Sequence, residues 1–155
     1  MKQNKCTLCP RNCKVNRLLG QKGLCNVSGK NIKVARAALH FWEEPCISGE
    51  HGSGTVFFSG CTLRCVYCQN HIISKAEAGK DITINRLAEI FIELEQRQAA
   101  NINLVTPTHY TPEIITAVAM ARKNGLSIPI VYNCSGYEKT ETLKSLEGTV
   151  DIYLT

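Results

Sequence analysis

The sequence has no apolar run long enough to span a membrane. Met1-Lys2-Gln3-Asn4-Lys5 leads straight into cysteines, with none of the apolar core that a secretory leader carries. The expectation is a cytosolic, cytoplasmic protein. Acidic residues are missing altogether from residues 1–36, which hold nine Lys or Arg. The rest of the chain holds nine basic and thirteen acidic groups, a net of −4. Aromatics are scarce at 6%, and none is interleaved with those early basic residues, which argues against a nucleic-acid partner. An even cysteine count is also lacking. Nine cysteines cannot all pair, and in a reducing compartment they point to metal or redox chemistry rather than to disulfides.

What is present is enough for one globular domain. A chain of 155 residues, 44% hydrophobic and 20% charged, can bury about 70% of its unfolded surface.

The densest chemistry lies in Gly60-Cys61-Thr62-Leu63-Arg64-Cys65-Val66-Tyr67-Cys68-Gln69-Asn70, which reads C-x3-C-x2-C with an aromatic before the last cysteine. Three thiolates on one short loop can each take one iron of a 4Fe–4S cubane. A fourth would close the cluster, and its absence leaves one iron open to a non-protein ligand. The other readings of this loop are a zinc site or buried free thiols.

A second group comes earlier. Cys6, Cys9, Cys13 and Cys25 follow C-x2-C-x3-C-x11-C, with Gly20 and Gly23 available for tight turns. Four soft donors within twenty residues suit a closed metal site, either structural zinc or a second iron–sulfur cluster, with zinc placed first. The basic start of the chain has two readings. It is a docking face for an acidic partner, such as a flavodoxin or ferredoxin electron donor, or it offsets the charge of the thiolates.

Between these groups, residues 31–41 partly alternate and predict a short strand or an extended arm. His40, Glu43 and Glu44 are near enough in sequence to form a polar cluster at an active-site rim, although a lone His beside Trp42 is also compatible with simple packing. Cys46 reads as a small buried apolar residue. Thr55-Val56-Phe57-Phe58, opened by glycines, predicts a buried strand that delivers the C-x3-C-x2-C loop. Ile84, Leu87, Ala88, Phe91 and Leu94 share one face of a helix over 82–98, with Thr83 as its cap. Residues 101–105 are the next strand. A helix begins at a Thr111 cap, with Ile114, Ile115, Val118 and Ala119 as its apolar face and Asn124-Gly125 as its stop. Strand 128–132, a helix near 139–146 and strand 150–154 follow. The order βαβαβαβ argues for a parallel sheet with right-handed crossovers.

The C-x3-C-x2-C spacing, with Tyr67 as its aromatic, resembles the motif of the radical S-adenosylmethionine (SAM) superfamily. The finer resemblance is to proteins related to the pyruvate formate-lyase activating enzyme. It is carried by the Cys6–Cys13 run, Trp42-Glu43-Glu44-Pro45, Thr106-Pro107-Thr108-His109 and the segment from Tyr132 to Glu138. It implies an α/β fold, a partial (β/α) barrel of about four parallel strands and three helices over 51–155, preceded by a cysteine-rich metal-binding segment and arm over 1–50. It also implies a 4Fe–4S cluster on Cys61, Cys65 and Cys68, with SAM on the open iron. Reduction of the SAM sulfonium there gives methionine and a 5′-deoxyadenosyl radical, and a glycyl-radical enzyme is the implied target. Tyr67 is expected to lean on adenine or shield the cluster. Asn133 and Ser135 are expected at the ribose or carboxylate.

Where many relatives carry a Gly-Gly-Glu segment for the SAM amino group, this chain has Thr106-Pro107-Thr108-His109. Thr106 and Thr108 offer polar atoms there, but no carboxylate. Relatives generally continue through further βα units, so the chain reads as C-terminally truncated, with weak turnover and self-association through its last strand as the expectation. A reading from a different class is a non-catalytic zinc-binding interaction module with a basic face.

Overall fold

The computed structural model describes residues 4–29 and 31–155. After a single 3-10 turn at Arg17–Leu19, the strands are β1 (Ile32–His40), β2 (Ser53–Phe58), β3 (Lys80–Ile82), β4 (Ile102–Val105), β5 (Ile130–Asn133) and β6 (Ile152–Leu154). The helices are α1 (Pro45–Ser48), α2 (His71–Ser74), α3 (Ile84–Gln96), α4 (Thr111–Lys123) and α5 (Thr140–Lys144). The six strands form one sheet in the order β3-β1-β2-β4-β5-β6.

The four strands expected from their apolar runs, β2, β4, β5 and β6, pair in parallel. β1 and β3 extend the sheet with antiparallel pairing. The fold is therefore α/β, with a mostly parallel sheet in a partial-barrel arrangement. Residues 32–40 make a nine-residue strand, hydrogen-bonded to β2 from Val34↔Phe58 to His40↔Ser53. β3 escapes the sequence because only three residues pair and two of them, Lys80 and Asp81, are exposed.

Register places Val56, Leu104 and Tyr132 in one row. Val56 and Leu104, with Ile102 and Ile130 beside them, pack against Leu87, Phe91 and Leu94 of α3 and Ile114, Ala117, Val118 and Ala121 of α4. Thr83 caps α3 as expected, accepting from the Arg86 N–H. α4 departs from expectation in two ways. Its buried stripe is Ile114, Ala117, Val118 and Ala121, the i, i+3, i+4, i+7 set, whereas Ala119 is exposed and Ile115 only half-buried. Thr111 is its first residue rather than its cap, because a 3-10 turn at Thr108–Tyr110 runs directly into the helix and Thr111 donates back to the Thr108 carbonyl. Gly125, at φ +102°, ends α4 as expected.

Two further expectations are corrected. Cys46 is exposed on the short helix α1, not buried. His40 is not at the rim of the cysteine loop. β1 runs against β2, so His40 lies opposite Ser53, at the end of β2 away from the loop that follows Phe58.

Candidate metal and cofactor site

Parallel strands all point their C-terminal ends the same way, and ligands of α/β folds gather there. Here that end carries the loop after β2 with Cys61, Cys65 and Cys68, the turn after β4 with Thr106 to Tyr110, and the loop after β5 with Cys134 to Lys139.

The three loop cysteines are half-buried. Cys61 and Cys68 line a cleft of about 70 Å³ with Phe57, Gly60, Asn70 and Thr106. The Arg64 N–H points at Cys61 Sγ (3.4 Å) and the Cys68 N–H at the Cys65 carbonyl (3.3 Å). Hydrogen bonds of the first kind tune a thiolate-ligated cluster. Tyr67 is 86% exposed, so it is not a core residue. Thr106 is a β-branched residue at φ +57°, in left-handed backbone that such residues seldom adopt. Its N–H donates to the Asn133 carbonyl. Thr106→Gly should relieve this strain and raise stability by about 1 kcal/mol, read as a higher urea midpoint; an unchanged or lower midpoint would show that the hydroxyl contributes more than the strain costs.

Thr108 does not reach this cleft. It is buried, and its hydroxyl donates to Glu138 Oε1 at 2.7 Å. The carboxylate that Thr106–His109 lacks in sequence is thus brought to the turn by Glu138, from the loop after β5. Asn133 ends β5 half-buried beside Val105, and Ser135 is exposed. Burial lifts the Cys134 thiol to about 11.

The four early cysteines border a common space. Cys6, Cys9, Cys13 and Cys25 line one cavity of about 10 Å³ with Thr62 and His109 among its walls. Burial raises the Cys9 and Cys25 thiols, and neighbouring thiols raise them further. Among the described residues, no three His, Cys, Asp or Glu side chains converge as the ligands of one ion would. The fit rests on the donor set: four thiols around one small cavity in the first group, and three on one loop, each free to take a different iron, in the second.

Sequence reasoning missed the side chains that join these parts. Arg17 is fully buried and donates to the carbonyls of His109 (2.5 Å) and Ser28 (3.1 Å), with its guanidinium 5.8 Å from the Tyr110 ring centre. It also favours the Cys25 thiolate. For this one cation, charge compensation is the better reading. Thr142 donates to the Leu8 carbonyl (2.6 Å), and Lys139 to Asn12.

His109 is fully enclosed, with Nε2 2.9 Å from the Ser59 carbonyl. A carbonyl only accepts, so the proton is assigned to Nε2. Burial pushes this imidazole down to about 4, partly opposed by the Ser59 bond and helped by the Arg17 cation. Below pH 6.5 the unfolded chain takes up a proton here that the folded chain refuses. Stability from this group is therefore lost as pH falls from 6.5 towards 4, by up to roughly 3 kcal/mol. His109→Gln should flatten that part of a stability–pH curve; an unchanged slope would contradict the assignment.

Comparison with known proteins agrees with this geometry. Residues 55–154 match the radical SAM superfamily. A protein of Methanocaldococcus jannaschii, itself uncharacterised, is 33% identical over 97% of this chain and 44% of its own length. A second uncharacterised protein of the same organism is 26% identical over 96% of this chain and 51% of its own. No solved structure matches.

The chain belongs to the radical SAM superfamily, and spans about half the length of the curated relatives it matches. Proteins of that superfamily typically bind a 4Fe–4S cluster and SAM. Among the described residues, no helix is long and apolar enough to cross a membrane.

Proposed function

We propose that the chain holds the cluster-binding part of a radical SAM enzyme related to the pyruvate formate-lyase activating enzyme, with Cys61, Cys65 and Cys68 as the three cluster ligands. One observation carries this reading: the three thiols leave the C-terminal end of the first parallel strand, and Cys61 and Cys68 share a cleft with the turn after the next strand. When bound, the reduced cluster supplies the electron that splits SAM into methionine and a 5′-deoxyadenosyl radical.

The chain's own residues divide the remaining work. Thr106 walls the cleft. Tyr67, exposed on the loop, is available to cover an adenine or the cluster. Asn133 and Ser135 are the proposed contacts to the ribose or carboxylate of SAM, and Thr108 acts through Glu138. Cys6, Cys9, Cys13 and Cys25 hold a structural metal, with zinc as the first candidate for a four-thiolate donor set. A flavodoxin or ferredoxin is the proposed electron donor, and a backbone glycine of a glycyl-radical enzyme the proposed target.

The test is anaerobic purification followed by iron, sulfide and zinc analysis and an assay for 5′-deoxyadenosine with a chemical reductant. Brown protein with broad absorption near 400 nm, roughly where thiolate-ligated clusters absorb, is the expected result. Colourless protein with zinc alone and no 5′-deoxyadenosine would overturn the reading.

A further inference from the structure

The two cysteine groups are joined by a short run of hydrogen bonds in both directions. Arg11 lies between Cys9 and Cys13. Its Nε donates to the Thr62 carbonyl and its Nη2 to the Leu63 carbonyl, both at 3.0 Å, and both carbonyls lie between Cys61 and Cys65. Arg64, on the C-x3-C-x2-C loop, answers in reverse: its Nη1 donates to the Leu24 carbonyl at 3.2 Å, next to Cys25. The backbone completes the run, since the Leu24 N–H faces Cys13 Sγ and the Arg64 N–H faces Cys61 Sγ, each at 3.4 Å. A thiol of one group is thus linked to a thiol of the other through two residues. The Tyr137 ring lies 5.3 Å from the Arg11 guanidinium carbon and helps hold that side chain in place.

Two features would make the early segment depend on a metal held there. Asn12, Lys14 and Asn26 all sit in left-handed backbone, which persists only where the surroundings enforce it. A four-thiolate site contributes its binding free energy to the folding of its own segment. Each arginine ends on backbone carbonyls of the opposite segment, so a change in one segment is felt by the other.

From this geometry we infer that the early four-cysteine segment is a metal-gated latch on the C-x3-C-x2-C loop. Arg11 and Arg64 make the conformation of that loop depend on metal at Cys6, Cys9, Cys13 and Cys25. The inference rests on the reading of both cysteine groups as metal sites. Arg11 and Arg64 are positioning residues, acting through backbone carbonyls rather than on SAM.

The experiment uses the full chain, purified anaerobically, with two readouts independent of turnover. These are protease cleavage within residues 61–70, located by mass spectrometry, and the metal affinity of the early cysteines, from equilibrium competition with a chelator. Arg11→Ala should leave that metal in place yet raise cleavage in the loop about tenfold, within the usual range of coupling between sites. Cys25→Ser should do the same by removing the metal, and adding Arg11→Ala to it should change little more.

Coupling is reciprocal in binding free energy, so Arg64→Ala should weaken metal binding at the early site by about the same factor. Alanine keeps the Cβ and hence the left-handed backbone cost of Arg64, and the side chain is exposed, so this variant folds and isolates the hydrogen bond. Native-like loop protection in Arg11→Ala, or unchanged metal affinity in Arg64→Ala, would overturn the latch. A wild-type chain without metal on the early thiols would instead overturn the site reading, and with it the latch.

Discussion

Replacing Cys65 with alanine is expected to abolish the 400 nm absorption and all 5′-deoxyadenosine formation, leaving the fold intact. The physical reason is ligand count. Three thiolates already leave one iron without a protein ligand, and alanine supplies neither a donor nor a charge to hold a second. Cys61→Ala and Cys68→Ala should behave alike. Cys46→Ala is the control: it removes an exposed thiol from α1, beyond the opposite end of β2, and should leave cluster content unchanged. Anaerobic iron and sulfide analysis of the four proteins checks this. Retained SAM cleavage in Cys65→Ala would sink the assignment of the cluster to this loop.

Gly60→Ala should cause a large loss of stability from a single added methyl group. Gly60 has φ +88°, and a Cβ there would stand 2.5 Å from the Cys25 carbonyl oxygen, 2.8 Å from Val27 Cγ1 and 3.3 Å from His109 Nε2. None of the three can retreat easily. The carbonyl belongs to a cysteine of the early group, Val27 is in the core, and His109 is enclosed. Strained backbone and overpacking together should cost about 3 kcal/mol or more. Because Gly60 immediately precedes Cys61 and touches Cys25, the variant should also lose metal from both cysteine groups. Gly125→Ala shares a positive φ but has open space around its Cβ, and should cost only about 1 kcal/mol. Urea denaturation with metal analysis compares the two. Equal, small losses would show that the early segment does not press on the loop.

Much of the scaffold could be read directly from the residues. The four parallel strands are short apolar runs between turn residues, and the two long helices carry their apolar face at a 3.6-residue spacing, so each announces itself within a dozen positions. The C-x3-C-x2-C loop is equally local, because its whole meaning lies in eight consecutive residues. Where the reading went wrong, the cause was distance along the chain. Nearness in sequence to Glu43 and Glu44 suggests His40 for an active-site rim, but the antiparallel course of β1 carries it to the end of β2 away from the cysteine loop. Cys46 looked like a buried thiol and is exposed. Thr106–His109 seemed to lack a carboxylate, and one arrives from Glu138, thirty residues beyond Thr108.

The sequence by itself determined the parallel sheet, the thiol-bearing loop at the end of its first parallel strand, and the superfamily to which both belong. Periodicity and ligand spacing are properties of contiguous residues, and they survive without knowledge of what packs against them. Only the tertiary structure decided that the two cysteine groups meet, that Arg17 is buried beside Cys25, and that Arg11 and Arg64 hold the groups together. Those contacts end on backbone carbonyls. Every residue carries one, so nothing in the letters marks which will accept a guanidinium until the loops are brought face to face.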